Sequence, residues 1–354
     1  MRALFVGKLD TAAHGVATLA KYVQIGRALG HEVAMFGEQP AHMQEIPFST
    51  DVKKFDFAVF VVYQSDDFPD LPYLAQILDG IPGDRRVVID PSGRYNDTIR
   101  VEHDFNHLER LDGHQGWEWV DAMKSVGGRV LQPTLKPRMP DAKSFLFYGF
   151  DPEAVAKPTD KTYGLGYIGN NWQRWTQIQS FLEDLEPLSG ELGKKRIVGW
   201  GWSALPEWPA EMGLKAVGID YPLLQRQSFE TWDTVPYHHV IGMNSQQRFT
   251  PIFKRPLFKE LGLVCNRDFE TFAGDTIPLL ALPEELAVSI YGEVARPLVT
   301  GLRPKERVAE AMKNPQRFQG IVSEVRAHLA VEHSFKRRLE TLAGILEGKS
   351  SAQS

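Results

Sequence analysis

Gly169, Asn170 and Asn171 stand with Arg174 just before a predicted helix, a combination that can bind an anion. Glycine allows the backbone to approach a ligand closely, and the N–H groups and dipole of a helix N-terminus favour negative charge. The sequence therefore predicts a phosphate-binding loop here. The alternative is an ordinary strand–helix turn, since most such turns also contain a glycine.

A basic segment over residues 249–256 is the second candidate for anion binding. It follows a predicted strand that ends at Asn244. Its Lys254, with Arg248 just before it, can neutralise negative charge without a metal ion. If the strands are parallel and in the expected order, the segment faces the same ligand as the glycine loop. An exposed basic surface loop would have the same composition, so both interpretations stay open.

Two residues in the first half of the chain can act as a general base. His14 lies in the opening loop with Asp10 and Gly15, and Asp90 ends a predicted strand at the same edge of the sheet. Either Asp90 or His14 can accept a proton from a hydroxyl group, and an imidazole titrates close to neutral pH. The alternative for His14 is a solvated loop histidine.

Metal binding has little support in the sequence. His103, Asp104 and His107 form a cluster whose spacing is not that of a known metal site, and we predict no metal ion. His238 and His239 fall in a predicted strand, so their side chains should point to opposite faces and cannot share a ligand.

The elements that must position these residues form a unit that occurs twice. Each copy has a buried strand ending in glycine, a polar loop, an amphipathic helix and a second parallel strand. The strands and helices fall at residues 3–7, 16–30 and 31–37 in the first copy and at 163–169, 176–193 and 194–201 in the second. We therefore predict two α/β domains facing a central cleft, with ligands at the carboxyl ends of the strands.

A linker-like segment rich in Pro, Asp and Lys over residues 151–162 sets the domain boundary. We expect an N-terminal domain over 1–155, a C-terminal domain over 156–325, a helix over 326–348 that packs back on the N-terminal domain, and a tail over 349–354. The first domain should end with a strand over 144–150. In the second, the pattern predicts a strand over 236–244 and a helix over 253–273.

The overall composition is that of a globular protein. The chain has 354 residues, 43% hydrophobic and 24% charged, and its net charge of −5 argues against a general basic surface for nucleic acid. No signal-peptide pattern precedes the first strand, and no apolar run reaches the ~20 residues of a membrane helix. The only cysteine, Cys265, leaves no disulfide scaffold or cysteine-ligated zinc site within one chain. We expect a cytoplasmic protein with no membrane span and no nucleic-acid partner.

Three C-terminal segments share a pattern with a known family. The matching positions are Arg267, Phe269, Glu270, Gly274, Pro278, Asn314, Pro315 and the run His333, Ser334, Phe335 and Lys336. They resemble the C-terminal half of the group 1-type glycosyltransferases, especially the CgeB-like (spore-maturation) branch, and residues 5–37 resemble the opening of such enzymes. The resemblance implies the GT-B architecture, with two Rossmann-like domains and the donor in the cleft, which agrees with the repeated unit.

The resemblance also implies a nucleotide-diphospho-sugar donor, held mainly by the C-terminal domain, and an acceptor held by the N-terminal one. It gives Glu270 the ribose hydroxyls, the alternative being a solvated helix carboxylate. Arg267 lies three residues earlier on the same helix face and either pairs with Glu270 or reaches a phosphate. The predicted donor-binding set is Gly169, Asn170, Arg174, Asn244, Lys254, Arg267, Glu270 and Gly274, with no further cofactor required.

Some positions depart from the family pattern. Asn170 and Trp175 stand nearest to where retaining members place an arginine and a lysine, and Gly262 stands where the family has its first acidic residue. Retention or inversion of the sugar is therefore open. The alternatives are a nucleotide-sugar epimerase on the same fold and a non-catalytic binding protein. The acceptor, whether glycan, protein or small molecule, is not encoded in these motifs.

Overall fold

Two parallel β-sheets, one in each half of the chain, form the framework of the protein. The computed structural model describes residues 1–8, 13–40, 43–63, 74–93, 95, 100–102, 108–110, 117–135, 137–171, 174–203 and 219–349. Within these residues, no helix combines the length and the apolar character needed to cross a bilayer.

The first sheet is built from short strands, and those in its centre are largely buried. The strands of this half are β1 (Arg2–Gly7), β2 (Glu32–Phe36), β3 (Phe48–Ser49), β4 (Phe57–Val61), β5 (Arg86–Ile89), β6 (Arg100–Glu102), β7 (Leu108–Arg110), β8 (Arg129–Gln132) and β9 (Ala142–Ser144). Seven form a parallel sheet in the order β3-β2-β1-β4-β5-β8-β9, while β6 and β7 pair antiparallel. The near-continuous apolar runs of β1 and β4 fit strands covered on both faces. The helices of this half are α1 (Ala13–Ala28), α2 (Leu74–Gly80) and α3 (Trp117–Val126).

The second sheet has five parallel strands in the order β12-β11-β10-β13-β14, where these are β10 (Tyr163–Ile168), β11 (Lys195–Val198), β12 (Phe229–Trp232), β13 (Gln247–Ile252) and β14 (Ile277–Leu280). Its helices are α4 (Trp175–Leu185), α5 (Ser189–Leu192), α6 (Tyr221–Arg226), α7 (Val240–Ser245), α8 (Pro256–Glu260), α9 (Arg267–Ala273), α10 (Glu284–Tyr291), α11 (Lys305–Lys313) and α12 (Pro315–Glu332). The predicted fold class, α/β with two Rossmann-like parallel sheets, is confirmed.

Several predicted elements in the second half were wrong. Residues 236–244 form a 3₁₀ turn and α7 instead of a strand. The strand is β13, which begins at Gln247 and overlaps the first part of the segment predicted as a basic loop. The predicted helix over 253–273 is two helices, because Gly262 adopts a left-handed φ of +59° after α8. In the first half, β9 ends at Ser144, earlier than the predicted 150.

The C-terminal helices return to the first half of the chain. After α12 the chain breaks at His333 and continues as α13 (Phe335–Leu346). Phe335 of α13 packs edge-on against Tyr22 of α1, with ring centroids 5.7 Å apart, and Leu339 lies beside Gly26 of α1. The exact domain boundaries given above stay a prediction.

Candidate functional site

Two glycine-containing loops meet at the carboxyl end of the second sheet. Gly169 follows β10 and Gly199 follows β11, and a β-carbon on Gly199 would lie 2.6 Å from the Gly169 carbonyl oxygen. The Asn171 N–H donates to the Trp200 carbonyl at 2.8 Å, and the Trp200 N–H donates to Asn170 Oδ1 at 3.1 Å. The two loops therefore form one hydrogen-bonded cradle directly before α4.

Two arginines flank this cradle. Arg174 Nη1 donates to the Asn170 carbonyl at 3.0 Å. Arg267 Nη1 donates to the Tyr167 hydroxyl at 3.1 Å, and its guanidinium lies 5.4 Å from the centre of that ring. A β-carbon on Gly169 would collide with this guanidinium, so only glycine leaves room for the cation beside the backbone. The structure thus brings four predicted residues together.

Glu270 lies one helical turn after Arg267 on α9. Its Oε1 accepts a hydrogen bond from Asn266 Nδ2 at 2.8 Å, and the Tyr237 hydroxyl also bonds to the carboxylate. Burial raises the pKa of Glu270 above its usual value, while the bonds from Tyr237 and Asn266 and the charge of Arg267 lower it. The result is a partly buried carboxylate held by donors next to a cation.

Two tyrosines of the first half, Tyr63 and Tyr148, lie near Tyr237, which bonds to this carboxylate. Tyr63, just after β4, has its hydroxyl 3.2 Å from that of Tyr148, and its ring leaves no room for a β-carbon on Gly15. Burial raises the pKa of Tyr237, and Glu270 and Tyr63 raise it further. The first and second halves therefore meet at these tyrosines, beside Glu270.

Lys254 is engaged in a buried ion pair with Asp268, the neighbour of Arg267 on α9. Its buried Nζ donates to Asp268 Oδ2 at 2.5 Å and to the Leu263 carbonyl at 2.6 Å. Asp268 also accepts hydrogen bonds from the Cys265 N–H and the Tyr291 hydroxyl. This corrects the prediction that Lys254 neutralises a diphosphate, because the ammonium compensates a fully buried carboxylate instead.

Asp90 is likewise a structural residue in this arrangement. It is fully buried, and its carboxylate accepts hydrogen bonds from the Ser92 N–H, the Tyr95 N–H and Gln132 Nε2 at 3.2, 2.7 and 2.9 Å. These bonds hold the turn after β5, and burial keeps an acceptor hydroxyl away, which corrects its prediction as a base. The side chain of His14, Asp10 and the cluster at residues 103–107 lie outside the described residues.

The remaining predicted residues lie at the other end of α9. Gly274 ends this helix, and a β-carbon there would lie 2.7 Å from the Asn244 β-carbon. The pair packs α7 against α9 without contributing to the cradle. His238 and His239 lie in a 3₁₀ turn with ring centroids 4.1 Å apart, which corrects the prediction of opposite strand faces.

Sequence reasoning missed several residues of the site: Tyr63, Tyr148, Tyr167, Trp200, Tyr237 and Asn266. A signal existed for Trp200, since Gly199 and Gly201 surround it after the second strand of the repeat. Tyr237 carried no signal because its segment resembled a strand. Among the described residues, no three His, Cys, Asp or Glu side chains gather as a metal site would require.

Neither a protein-family model nor a curated protein matches the chain. Solved structures do match over 98% of it. An α-glucosyltransferase in complex with UDP and a 13-mer DNA has a TM-score of 0.63 at 12% identity, with 98% of that chain covered. T4 phage BGT, a β-glucosyltransferase, has TM-scores of 0.53 in complex with UDP-glucose and 0.55 with UDP and Mn²⁺, both at 13% identity and over 99% and 100% of those chains.

Similarity at 12–13% identity shows the fold alone. The chain therefore shares the two-domain GT-B fold with these enzymes, and the resemblance to that architecture is confirmed. Membership of the CgeB-like branch stays a prediction.

Proposed function

We propose that the protein is a glycosyltransferase that moves a sugar from a nucleotide-diphospho-sugar to an acceptor hydroxyl. One observation carries this proposal: the Arg267 guanidinium lies against Gly169 at the end of β10, and Glu270 follows one turn along α9. A cation against a glycine loop suits a diphosphate, and a neighbouring carboxylate suits ribose hydroxyls. The fold shared with enzymes solved in complex with UDP-glucose supports the same class of ligand.

The diphosphate would bind between the Gly169–Asn170 backbone, the start of α4 and the two arginines, Arg174 and Arg267. Negative charge builds on the diphosphate as the sugar–phosphate bond breaks, and donors that are already in place stabilise that charge. Glu270 would accept hydrogen bonds from the ribose hydroxyls. Asn170 is the exposed side chain of the cradle.

The acceptor would enter from the first half of the chain, past Gly15 and Tyr63. Its oxygen bonds to the anomeric carbon, the nucleoside diphosphate leaves, and the hydroxyl proton passes to a base. His14, in the first turn of α1 and next to Gly15, is our candidate for that base. With Asp90 buried, no role in proton transfer is assigned to it.

DNA becomes a candidate acceptor on the strength of the shared fold. Four of the α-glucosyltransferase complexes with this fold contain DNA, and a net charge of −5 describes the whole chain, not one groove. The expectation of no nucleic-acid partner is therefore not supported. Metal independence also needs a test, because T4 phage BGT has been solved in complex with UDP and Mn²⁺.

A thermal-shift screen against UDP-, GDP-, dTDP- and CMP-sugars tests the proposal, with each donor assayed in EDTA and in Mn²⁺. We expect one base to raise the melting temperature. Transfer from the selected donor to DNA, RNA and glycans then identifies the acceptor class, and product analysis without acceptor would reveal an epimerase. If no nucleotide sugar stabilises the protein in either condition, the proposal fails.

Gly169→Ala should weaken donor binding about tenfold, a loss of about 1.4 kcal/mol. The new β-carbon would displace the Arg267 guanidinium from the cradle. Calorimetric titration with the selected donor measures the change. Gly190→Ala in α5 is the matched control, because no heavy atom lies within 4 Å of its added β-carbon. Equal affinities in the two variants would contradict the role of Arg267.

Tyr237→Phe should raise the pH below which donor binding is lost. The Tyr237 hydroxyl lowers the pKa of Glu270, so its removal raises that pKa. Binding that needs the ionised carboxylate is complete above this pKa and is lost as the pH falls through it. Donor affinity measured across the acid range checks the shift, with Tyr221→Phe of α6 as the control. An unmoved pH profile would show that the Tyr237 bond does not act on Glu270.

A further inference from the structure

The two halves are joined at two chain crossings, and both crossings contact α9. The first crossing includes Phe150 and Ala156, and the second includes His333. The Phe150 N–H donates to the His333 carbonyl at 2.8 Å, so residue 150 lies beside residue 334. Slightly further on, the Ala156 N–H donates to the Ala273 carbonyl at the end of α9, also at 2.8 Å. The helix that carries Arg267 and Glu270 is thus held where the halves connect.

His333 is the contact between the second crossing and the middle of α9. Its buried ring lies 5.8 Å from the ring of Phe269, the neighbour of Glu270. Nδ1 bonds to the Arg338 guanidinium, and the imidazole also bonds to the Ile290 backbone. Burial lowers the pKa of His333 to about 3, helped by Arg338 and His328. The neutral ring therefore accepts from Arg338 with one nitrogen and donates to the Ile290 carbonyl with the other.

Arg338, the hydrogen-bond partner of His333, contacts the first half of the chain at Tyr148. Arg338 Nε donates to the Tyr148 carbonyl at 3.4 Å, and the Tyr148 hydroxyl lies 3.2 Å from that of Tyr63. The side chains of His333 and Arg338 are each 7% exposed. The contacts from Phe269 to Tyr63 are therefore continuous and largely shielded from water.

The other positions of this segment anchor it. Ser334 Oγ accepts from the Arg337 N–H and caps α13. Phe335 packs on Tyr22. The Phe335 ring also lies against Gly149, because a β-carbon on that glycine would be only 2.9 Å from the ring. Each matched residue of the run from His333 to Phe335 thus has a defined place at the crossing.

We infer that His333 and Arg338 are positioning residues that couple donor binding on α9 to the first half of the chain. This inference rests on the proposed function. A donor that fixes Arg267 and Glu270 also fixes Phe269 on the same helix. Because packed interiors transmit displacements, the His333–Arg338 pair then fixes Tyr148 and Tyr63 beside the acceptor path. Neither residue needs to touch the donor or the acceptor.

Hydrogen-exchange mass spectrometry of the full chain, with and without UDP-glucose, tests this coupling. In the unmodified protein we expect slower exchange at α9 and also at α1 and residues 57–63. His333→Phe keeps a ring against Phe269 but cannot bond to Arg338. We expect this variant to retain donor-induced protection at α9. In the first half, the factor by which the donor slows exchange should fall roughly 5- to 10-fold, the scale of a modest coupling between sites.

Three further variants make the result decisive. His333→Gln, whose amide both donates and accepts, should restore protection in the first half. Ser334→Ala weakens the helix cap in the same segment but should leave the coupling intact. If His333→Phe does not fold, Arg338→Met makes the same test, since it removes the guanidinium and keeps its stem. Unchanged first-half protection in the folded His333→Phe or Arg338→Met variant would overturn the inference, as would equal loss in Ser334→Ala.

The unmodified protein separates this inference from the proposal on which it rests. If no nucleotide sugar of the screen protects α9 in the unmodified protein, the proposed function is overturned, and the coupling with it. Protection confined to α9 would leave the proposed function standing and overturn the coupling alone.

Discussion

Glu270→Ala is expected to lower the affinity for the nucleotide-sugar donor by roughly 100-fold. The carboxylate is proposed to accept hydrogen bonds from ribose hydroxyls, and a hydrogen bond to a charged group contributes about 1.5–3 kcal/mol. Asn266 and Tyr237 already hold the carboxylate in place, so little ordering is needed on binding. Isothermal titration calorimetry with the selected donor measures the loss.

The identity of the recognised group can be tested with the nucleotide itself. The unmodified protein should prefer a ribonucleoside diphosphate over its 2′-deoxy form, and Glu270→Ala should bind both equally. Glu285→Ala, in the exposed first turn of α10, is the matched control and should keep the preference. A preference that survives in Glu270→Ala would assign the ribose to another residue.

Lys254→Met should lower the free energy of unfolding by about 3–5 kcal/mol and leave donor affinity nearly unchanged. Removing one partner of a buried ion pair leaves the other charge uncompensated, at a cost of about that size. Here the remaining charge would be Asp268, which is fully buried. Guanidinium unfolding curves measure the stability, and calorimetry measures the donor affinity.

The outcome separates two roles for the same residue. Lys259→Met removes an exposed lysine from the neighbouring α8 and should change neither quantity. A Lys254→Met protein of ordinary stability that has lost donor binding would restore the prediction of a diphosphate contact. The reverse result supports the buried ion pair as the reason for a lysine at this position.

The fold was predictable because parallel strands buried on both faces leave a strong signal. The apolar runs of β1, β4 and β10, each followed by polar loops and amphipathic helices, indicate a doubled α/β unit without further information. Gly169 was identifiable for the same reason, since a glycine at the end of a strand and before a helix is typical of a close approach.

The segment between β12 and α9 was mispredicted because local patterns and tertiary contacts disagree there. The apolar run within α7 resembles a strand, while β13 contains Pro251, which normally argues against an interior strand. The register with β10 ends at Phe249, so the missing N–H of Pro251 interrupts no pairing with that strand. Only the assembled sheet shows this.

Roles that depend on burial could not be read from the sequence. Lys254 pairs with Asp268, which is 14 positions away, and Asp90 accepts from Gln132, which is 42 positions away. No rule of sequence spacing predicts these contacts, because tertiary packing brings the partners together. Arg267 and Glu270 were different, because three residues within one helix suffice to place both on one face. Local geometry was therefore predictable, and partners brought together by the fold were not.

The packing of α13 on α1 has a consequence for how the protein forms in the cell. Domains usually fold in the order in which the ribosome releases them. Here Tyr22 in α1 is covered by Phe335 in α13, which is synthesised much later. A nascent chain whose first sheet has already formed therefore exposes this apolar face of α1 until α13 has emerged from the ribosome, and chaperones can bind there in the meantime.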